Sequence, residues 1–141
     1  MGQCVKAEYD PNDDGTIHVD NSQQKKDQYG HFMPRTHITG VATPANENHD
    51  GHLKVKLEGM PFEASYDVLK TDYTSYAIVY NCDDFAGMKM EYAWVLTRLA
   101  NPVLDPIVDQ AKYEYSKLNI DFDEEFEMTI QGGAAGCDYS H

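Results

Sequence analysis

The chain lacks the long apolar runs, the basic surplus and the metal-ligand spacings that mark several large functional classes. Apolar residues nowhere approach the ~18 in a row that a membrane-spanning helix needs, so no membrane insertion is expected. Basic residues are scarce: 11 Lys and Arg stand against 24 Asp and Glu, a net charge of −13. Such a chain is repelled by phosphate backbones, which argues against a nucleic-acid partner, and its scattered charge reads as a solvated surface. The three cysteines, Cys4, Cys82 and Cys137, form no CxxC and no Cys/His cluster. They fit either one disulfide with an orphan thiol in an oxidising compartment or three reduced thiols in a cytosolic protein. The six histidines, His18, His31, His37, His49, His52 and His141, show neither HxH nor HExxH, and surface imidazoles account for them without a metal. Gly-x-Ser-x-Gly, a P-loop and a recognisable Cys–His pairing are all missing, so no enzyme is expected. No apolar leader opens the chain, as in a mature secreted protein carrying a new Met, or in a fragment. Lys6 stands where a myristoylation signal wants Ser or Thr.

What the chain does contain is alternation. At 141 residues it is long enough for one compact domain, and 41% hydrophobic composition excludes wholesale disorder. Gln3 to Tyr9 and Thr16 to Asn21 read as strands around the turn cluster Asp10-Pro11-Asn12-Asp13-Asp14-Gly15. That turn matches the first half of an EF-hand loop, but Asn21 stands where the closing Glu belongs and strands flank it, so a hairpin is the better reading. Thr36 to Thr43 follows as a strand. His52 to Glu58 alternates Leu53, Val55 and Leu57 with Lys54, Lys56 and Glu58. Phe62, Ala64, Tyr66 and Val68 repeat the pattern. Tyr76 to Cys82 is a β-prone run, and Met88, Met90, Tyr92 and Trp94 share one face of the next strand.

The period then changes. Asp105 is placed to cap a helix with Pro106 at its first position, and Leu104, Val108, Ala111, Tyr115 and Leu118 form one stripe at helical spacing. A last strand is expected over about 125–131, with Phe126, Met128 and Ile130 on one side. The fold class is therefore all-β, with strands over 3–98, one helix over about 105–118 and one final strand, in a single domain spanning 1–141. Short connections favour antiparallel neighbours, and either a sandwich or an up-and-down barrel fits.

Gly2-Gln3-Cys4 with Ala7-Glu8-Tyr9, Thr71-Asp72-Tyr73 with Tyr76-Ala77-Ile78-Val79-Tyr80-Asn81-Cys82, and Ala93-Trp94-Val95-Leu96-Thr97-Arg98 together resemble the lipocalin family, in the family's order. The tail Gly133-Ala134-Ala135-Gly136-Cys137 is similar to that of the arthropod bilin- and carotenoid-binding group (insecticyanin, bilin-binding protein, crustacyanin subunits) and of apolipoprotein D. The resemblance implies an antiparallel up-and-down lipocalin-type β-barrel with one C-terminal helix. It implies a Cys4–Cys137 disulfide, with Cys82 left as the orphan, and a secreted protein. The family's Gly-x-Trp strand has no counterpart in this sequence, because Trp94 is the only tryptophan and only Met1 stands before Gly2. On this reading the first strand is missing and a homo-oligomer could form through exposed strand edges.

Alternate side chains point into a barrel. With one face taken as interior, the ligand-binding candidates are Tyr9, Ile38, Ala42, Val55, Leu57, Phe62, Tyr66, Val68, Val79, Asn81, Met88, Met90, Tyr92 and Trp94. Val5, Ala7, Gly40, Leu53, Ala64 and Ala77 complete the lining. Small residues leave room, Met adapts to irregular shapes, and Asn81 and the phenols could orient a polar end. The resemblance then implies a carrier of a small hydrophobic ligand, with no required cofactor. Biliverdin or a carotenoid leads, retinoids, sterols and fatty acids remain open, and an assembly protein without ligand is the rival. A lipocalin-type isomerase would need a pocket thiol, and Cys82 has the parity of the outward residues Ile78 and Tyr80.

Overall fold

In the computed structural model residues 2–48 and 50–140 are described; Met1, His49 and His141 lie outside them. Seven strands follow one another in chain order in one sheet, β1 (Gln3–Pro11), β2 (Ile17–Gln24), β3 (Thr36–Pro44), β4 (His52–Leu57), β5 (Ala64–Thr71), β6 (Tyr76–Phe85) and β7 (Met88–Thr97). Helix α1 (Asp105–Ser116) and the single turn α2 (Phe122–Glu125) come after them. This is the up-and-down order with one substantial C-terminal helix that the resemblance implies. Contacts gather in two units: 1–43 with 55–63 and 128–141, and 44–54 with 64–127.

In the first unit β1 and β2 form the expected hairpin, antiparallel from Lys6 opposite Ser22 to Pro11 opposite Ile17. Its turn closes on itself. Asn12 N–H donates to Thr16 O, the Thr16 hydroxyl donates to Asp14, and Gly15 takes φ +85°, which favours glycine. Tyr9 lies opposite Val19, and Val19 opposite Gly40, so these three share a face. A Cβ on Gly40 would fall on the Lys56 carbonyl and the Leu57 backbone, so only glycine permits this approach of β3 to β4. On the other face His37 Nδ1 stands 2.9 Å from Asp20, opposite in parity to Ile38.

The segment after α1 corrects one expectation. No strand forms over about 125–131. Asp121 accepts the Asp123 N–H and starts α2. Phe126 is drawn into an aromatic cluster with Phe122 and Tyr115, at 4.5 and 4.7 Å between ring centroids. Met128 is exposed, and Ile130 is tied by single bonds rather than a ladder: Cys4 N–H donates to its carbonyl at 2.8 Å, and its N–H donates to the Gln3 side chain. Apolar alternation without a pairing edge of matching length does not make a strand. Beyond it, Cys137 is joined to Cys4 by a disulfide, and Cys82 is a free thiol. Arg35 donates to Cys4 O at 2.8 Å, to the Ser22 hydroxyl and to Asp138 O, while Gln24 accepts the Asp138 N–H. These bonds explain why Ser22 and Gln24 are buried although polar.

In the second unit β6 and β7 pair without interruption from Tyr76 opposite Thr97 to Phe85 opposite Met88. Val68 lies opposite Val79 on the β5 side, with a bulge between Val68 and Lys70. One face of this sheet packs on α1: Ile78, Ala111 and Tyr115 are fully buried, with Leu69, Tyr80, Ala93 and Val95 against them. The buried stripe of α1 is Ile107, Ala111 and Tyr115, a strict spacing of four. This corrects the expected stripe: Ala111 and Tyr115 hold, Val108 is only half-buried, and Leu118 falls beyond the helix end and is exposed. Leu104, not Asp105, occupies the cap position, and its side chain makes no capping bond. The Tyr115 hydroxyl donates to both Val79 O and Trp94 O at 2.8 Å, joining β6 and β7 to the helix. Burial pushes that hydroxyl above the ordinary phenol range.

Two outcomes follow for stability. The disulfide closes 133 residues of sequence, so reducing it or making Cys4→Ser lowers the unfolding free energy by about 5 kcal/mol on the loop-closure argument. Urea melts with and without reductant measure this, and one thiol titrating in the denatured, unreduced chain checks the pairing. Tyr115→Phe removes a buried donor from two carbonyls and costs about 1–3 kcal/mol in the same assay.

Candidate functional site

The sheet face turned away from α1 in the second unit gathers eight of the expected residues. The β6–β7 register sets Val79 opposite Trp94, Asn81 opposite Tyr92 and Phe85 opposite Met88. Val68 joins Val79 from β5. Tyr66, two residues before Val68, has the same parity. Met90, opposite Asp83, completes the row. Alternation therefore places Tyr66, Val68, Val79, Asn81, Met88, Met90, Tyr92 and Trp94 together.

Burial within this face is uneven. Val79 is fully buried and Asn81 nearly so, while Trp94 keeps 40% of its surface and Tyr92 53%. The aromatic rings stack in a ladder. Tyr66 lies 6.4 Å from Trp94 at 21° between planes, and Tyr92 lies 5.8 Å from Trp94 at 8°. Near-parallel rings of this kind offer a flat, polarisable surface. At the other end of the face Asn81 donates to Ser65 O and to Asp83 Oδ2. The Asp83 carboxylate also accepts the Ser65 N–H at 3.0 Å and the Ser65 hydroxyl at 3.2 Å. The Asn81 amide nitrogen is thus engaged in joining β5 to β6.

The remaining candidates lie in the first unit. Tyr9, Ile38 and Ala42 share a face with Val19, and Tyr9 and Ile38 are exposed while Ala42 is buried. Val55 is buried and Leu57 half-buried on β4. Phe62 lies in the segment before β5, not on the strand itself, because β5 begins at Ala64. Residues of the right parity were missed, among them Val19 beside Tyr9, Leu96 opposite Ala77, and Asp83 opposite Met90. Carrying the two-residue count along each strand would have found them.

The turn that precedes β6 shows what the Thr71-Asp72-Tyr73 motif does. Asp72 accepts the Ser75 hydroxyl and the N–H groups of Thr74, Ser75 and Tyr76. These bonds, the Ser75 hydroxyl foremost, hold its carboxyl well below the usual carboxylate range. Tyr73 takes φ +67° at the apex. Arg98, at the end of β7, donates to Thr74 O at 2.7 Å and reaches Tyr73 O, so the motif and the arginine close one corner of the sheet. Cys82 is half-buried and has the parity of Ile78 and Tyr80, on the helix side. Among the described residues no group of three or more His, Cys, Asp or Glu is placed to hold a metal ion.

A family model described as a lipocalin-like domain matches residues 2–117. This chain belongs to the lipocalin family. It is 35% identical over 106 residues to apolipoprotein D of Bos taurus, covering 74% of this chain and 52% of that one. It is 37% identical over 125 residues to the Lazarillo protein of Schistocerca americana, covering 84% and 56%. Crustacyanin-A1 subunit of Homarus gammarus is 32% identical over 89 residues, covering 62% and 46%. The chain thus spans about half the length of these relatives. Among solved structures, lobster apocrustacyanin A1 superposes with a TM-score of 0.71 at 26% identity, over 95% of this chain and 69% of that one. The lipocalin motifs of the sequence are thus matched by fold as well as by residue.

Proposed function

We propose that this lipocalin carries a small hydrophobic ligand in an extracellular setting, and that it is a binding protein rather than an enzyme. The ligand of first choice is a pigment, biliverdin or a carotenoid. The observation that carries this reading is the Tyr66–Trp94–Tyr92 ladder, ordered over a buried Val79 yet left accessible on the face away from α1. A sheet face of a solvent-exposed protein rarely keeps stacked aromatics half-open without a partner. Burying apolar ligand surface there would contribute roughly 25 cal/mol per Å² before ordering costs. The similarity to apolipoprotein D and to the crustacyanin subunits supports a carrier, and the Cys4–Cys137 disulfide supports an oxidising compartment. The face away from α1 offers no thiol nucleophile, since Cys82 has the opposite parity, which weighs against an isomerase. The single domain over 1–141 belongs to the same proposal.

A second reading is association with another copy through a strand edge. It rests on β7, the last strand in the sheet order, which pairs only with β6 among the described residues.

Titration with biliverdin, a carotenoid, a retinoid and a fatty acid tests the carrier reading. Trp94, the only tryptophan, reports directly from the aromatic ladder. Saturable quenching by at least one of these ligands, with a shifted visible band for a bound pigment, is the expected result. Unchanged emission across all four, with a dimer in sedimentation, would replace the carrier by the assembly reading.

A further inference from the structure

The candidate face carries a carboxylate and no facing cation. Its alternate positions on β5, β6 and β7 are Ala64, Tyr66, Val68 and, past the bulge, Thr71; Ala77, Val79, Asn81, Asp83 and Phe85; and Met88, Met90, Tyr92, Trp94 and Leu96. None is Lys, Arg or His. Lys89 has the opposite parity, with its ammonium 3.7 Å from Glu91. Lys70 comes after the β5 bulge, opposite Ile78 on the helix side. Lys54 alternates with Leu53 on β4. Arg98 continues the parity of Trp94 beyond β7, but its guanidinium is turned onto the Thr74 and Tyr73 carbonyls at the corner of the sheet.

Asp83 stands at the opposite end, half-buried on the same face as Asn81 and level with Met90. Its carboxylate is fixed in place by the Ser65 N–H, the Ser65 hydroxyl and the Asn81 amide. A ligand laid along the ladder from Trp94 through Tyr92 would bring one end toward this group. A carboxylate there would meet a like charge in surroundings drier than bulk water, where the repulsion is screened less. A hydroxyl could donate to it. The net charge of −13 acts in the same direction at longer range.

Resting on the carrier reading, we infer that this face selects an uncharged, flat, apolar ligand bearing at most a hydrogen-bond donor at one end, and that Asp83 is the residue that rejects carboxylates. Between the two pigments this favours a carotenoid over biliverdin, which carries two propionates. It also disfavours fatty acids.

Retinol and retinoic acid share one polyene skeleton and differ in the end group, which isolates the charge. Both are titrated into the oxidised full chain at pH 7.5, following Trp94 quenching. Retinol is expected to saturate, with retinoic acid at least about tenfold weaker. Asp83→Asn, close to isosteric, should narrow that ratio at least about threefold by tightening retinoic acid binding. Met90→Lys, which sets a cation opposite Asp83, should narrow it as well, so the test survives if one variant folds poorly. Equal binding of the two ligands, or tighter binding of the acid, overturns the inference and leaves the carrier reading standing. A ratio that persists in both folded variants removes Asp83 from its role and overturns the inference too. Quenching by neither ligand overturns the inference, and the carrier reading falls with it only if biliverdin, a carotenoid and a fatty acid also leave Trp94 emission unchanged.

Discussion

The uninterrupted β6–β7 ladder is the constraint on which the second unit rests. Because side chains alternate, its register decides at every position which residue meets α1 and which does not. Ile78, Tyr80, Ala93 and Val95 go to the helix; Val79, Asn81, Tyr92 and Trp94 go to the other side. A slip of β7 by one residue would turn Trp94 and Tyr92 to the α1 face and carry Ala93 and Val95 away from it. Tyr115 guards against that slip, since its hydroxyl bonds the carbonyls of Val79 and Trp94, which are partners only in the observed register. The core of this unit and its proposed binding face are thus two consequences of one pairing.

The first unit is held by a different device. It buries few large side chains, and several of its buried positions are polar or small: Ser22, Gln24 and Ala42. Covalent closure and hydrogen bonds make up for this. The Cys4–Cys137 bond fastens the tail, and Arg35 reaches Cys4, Ser22 and Asp138 together. A cross-link of this kind persists where the surroundings are oxidising.

Much of this was legible from the residues because strand alternation is a local signal. Leu53, Val55 and Leu57 against Lys54 and Lys56 declare β4, and the Met88–Trp94 row declares the face of β7. Phe126, Met128 and Ile130 alternate just as well, yet they form no strand. Whether an alternating segment pairs depends on an available edge, which is a property of the folded sheet and not of the segment. The helix stripe misled for a related reason. Leu104 and Leu118 have helical spacing with Ala111 and Tyr115, but α1 begins at Asp105 and ends at Ser116, so both lie off the helix. Asp83 was missed because a carboxylate does not look like lining; its role shows only once Ser65 and Asn81 are seen to hold it. The Thr71-Asp72-Tyr73 motif marked the family from sequence, but its work, an Asx-type turn clasped by Arg98, needed the coordinates.

The central claim is that ligand meets the Trp94 side of the β6–β7 ladder and never the helix side. Intermolecular nuclear Overhauser effects, measured between bound retinol and the methyl groups of the selectively labelled protein, test it most directly. The account predicts cross-peaks to the methyls of Val68, Val79 and Met90 and none to those of Ile78, Ala93 and Val95. Cross-peaks to Ile78, Ala93 or Val95, with Val79 and Met90 silent, would contradict it.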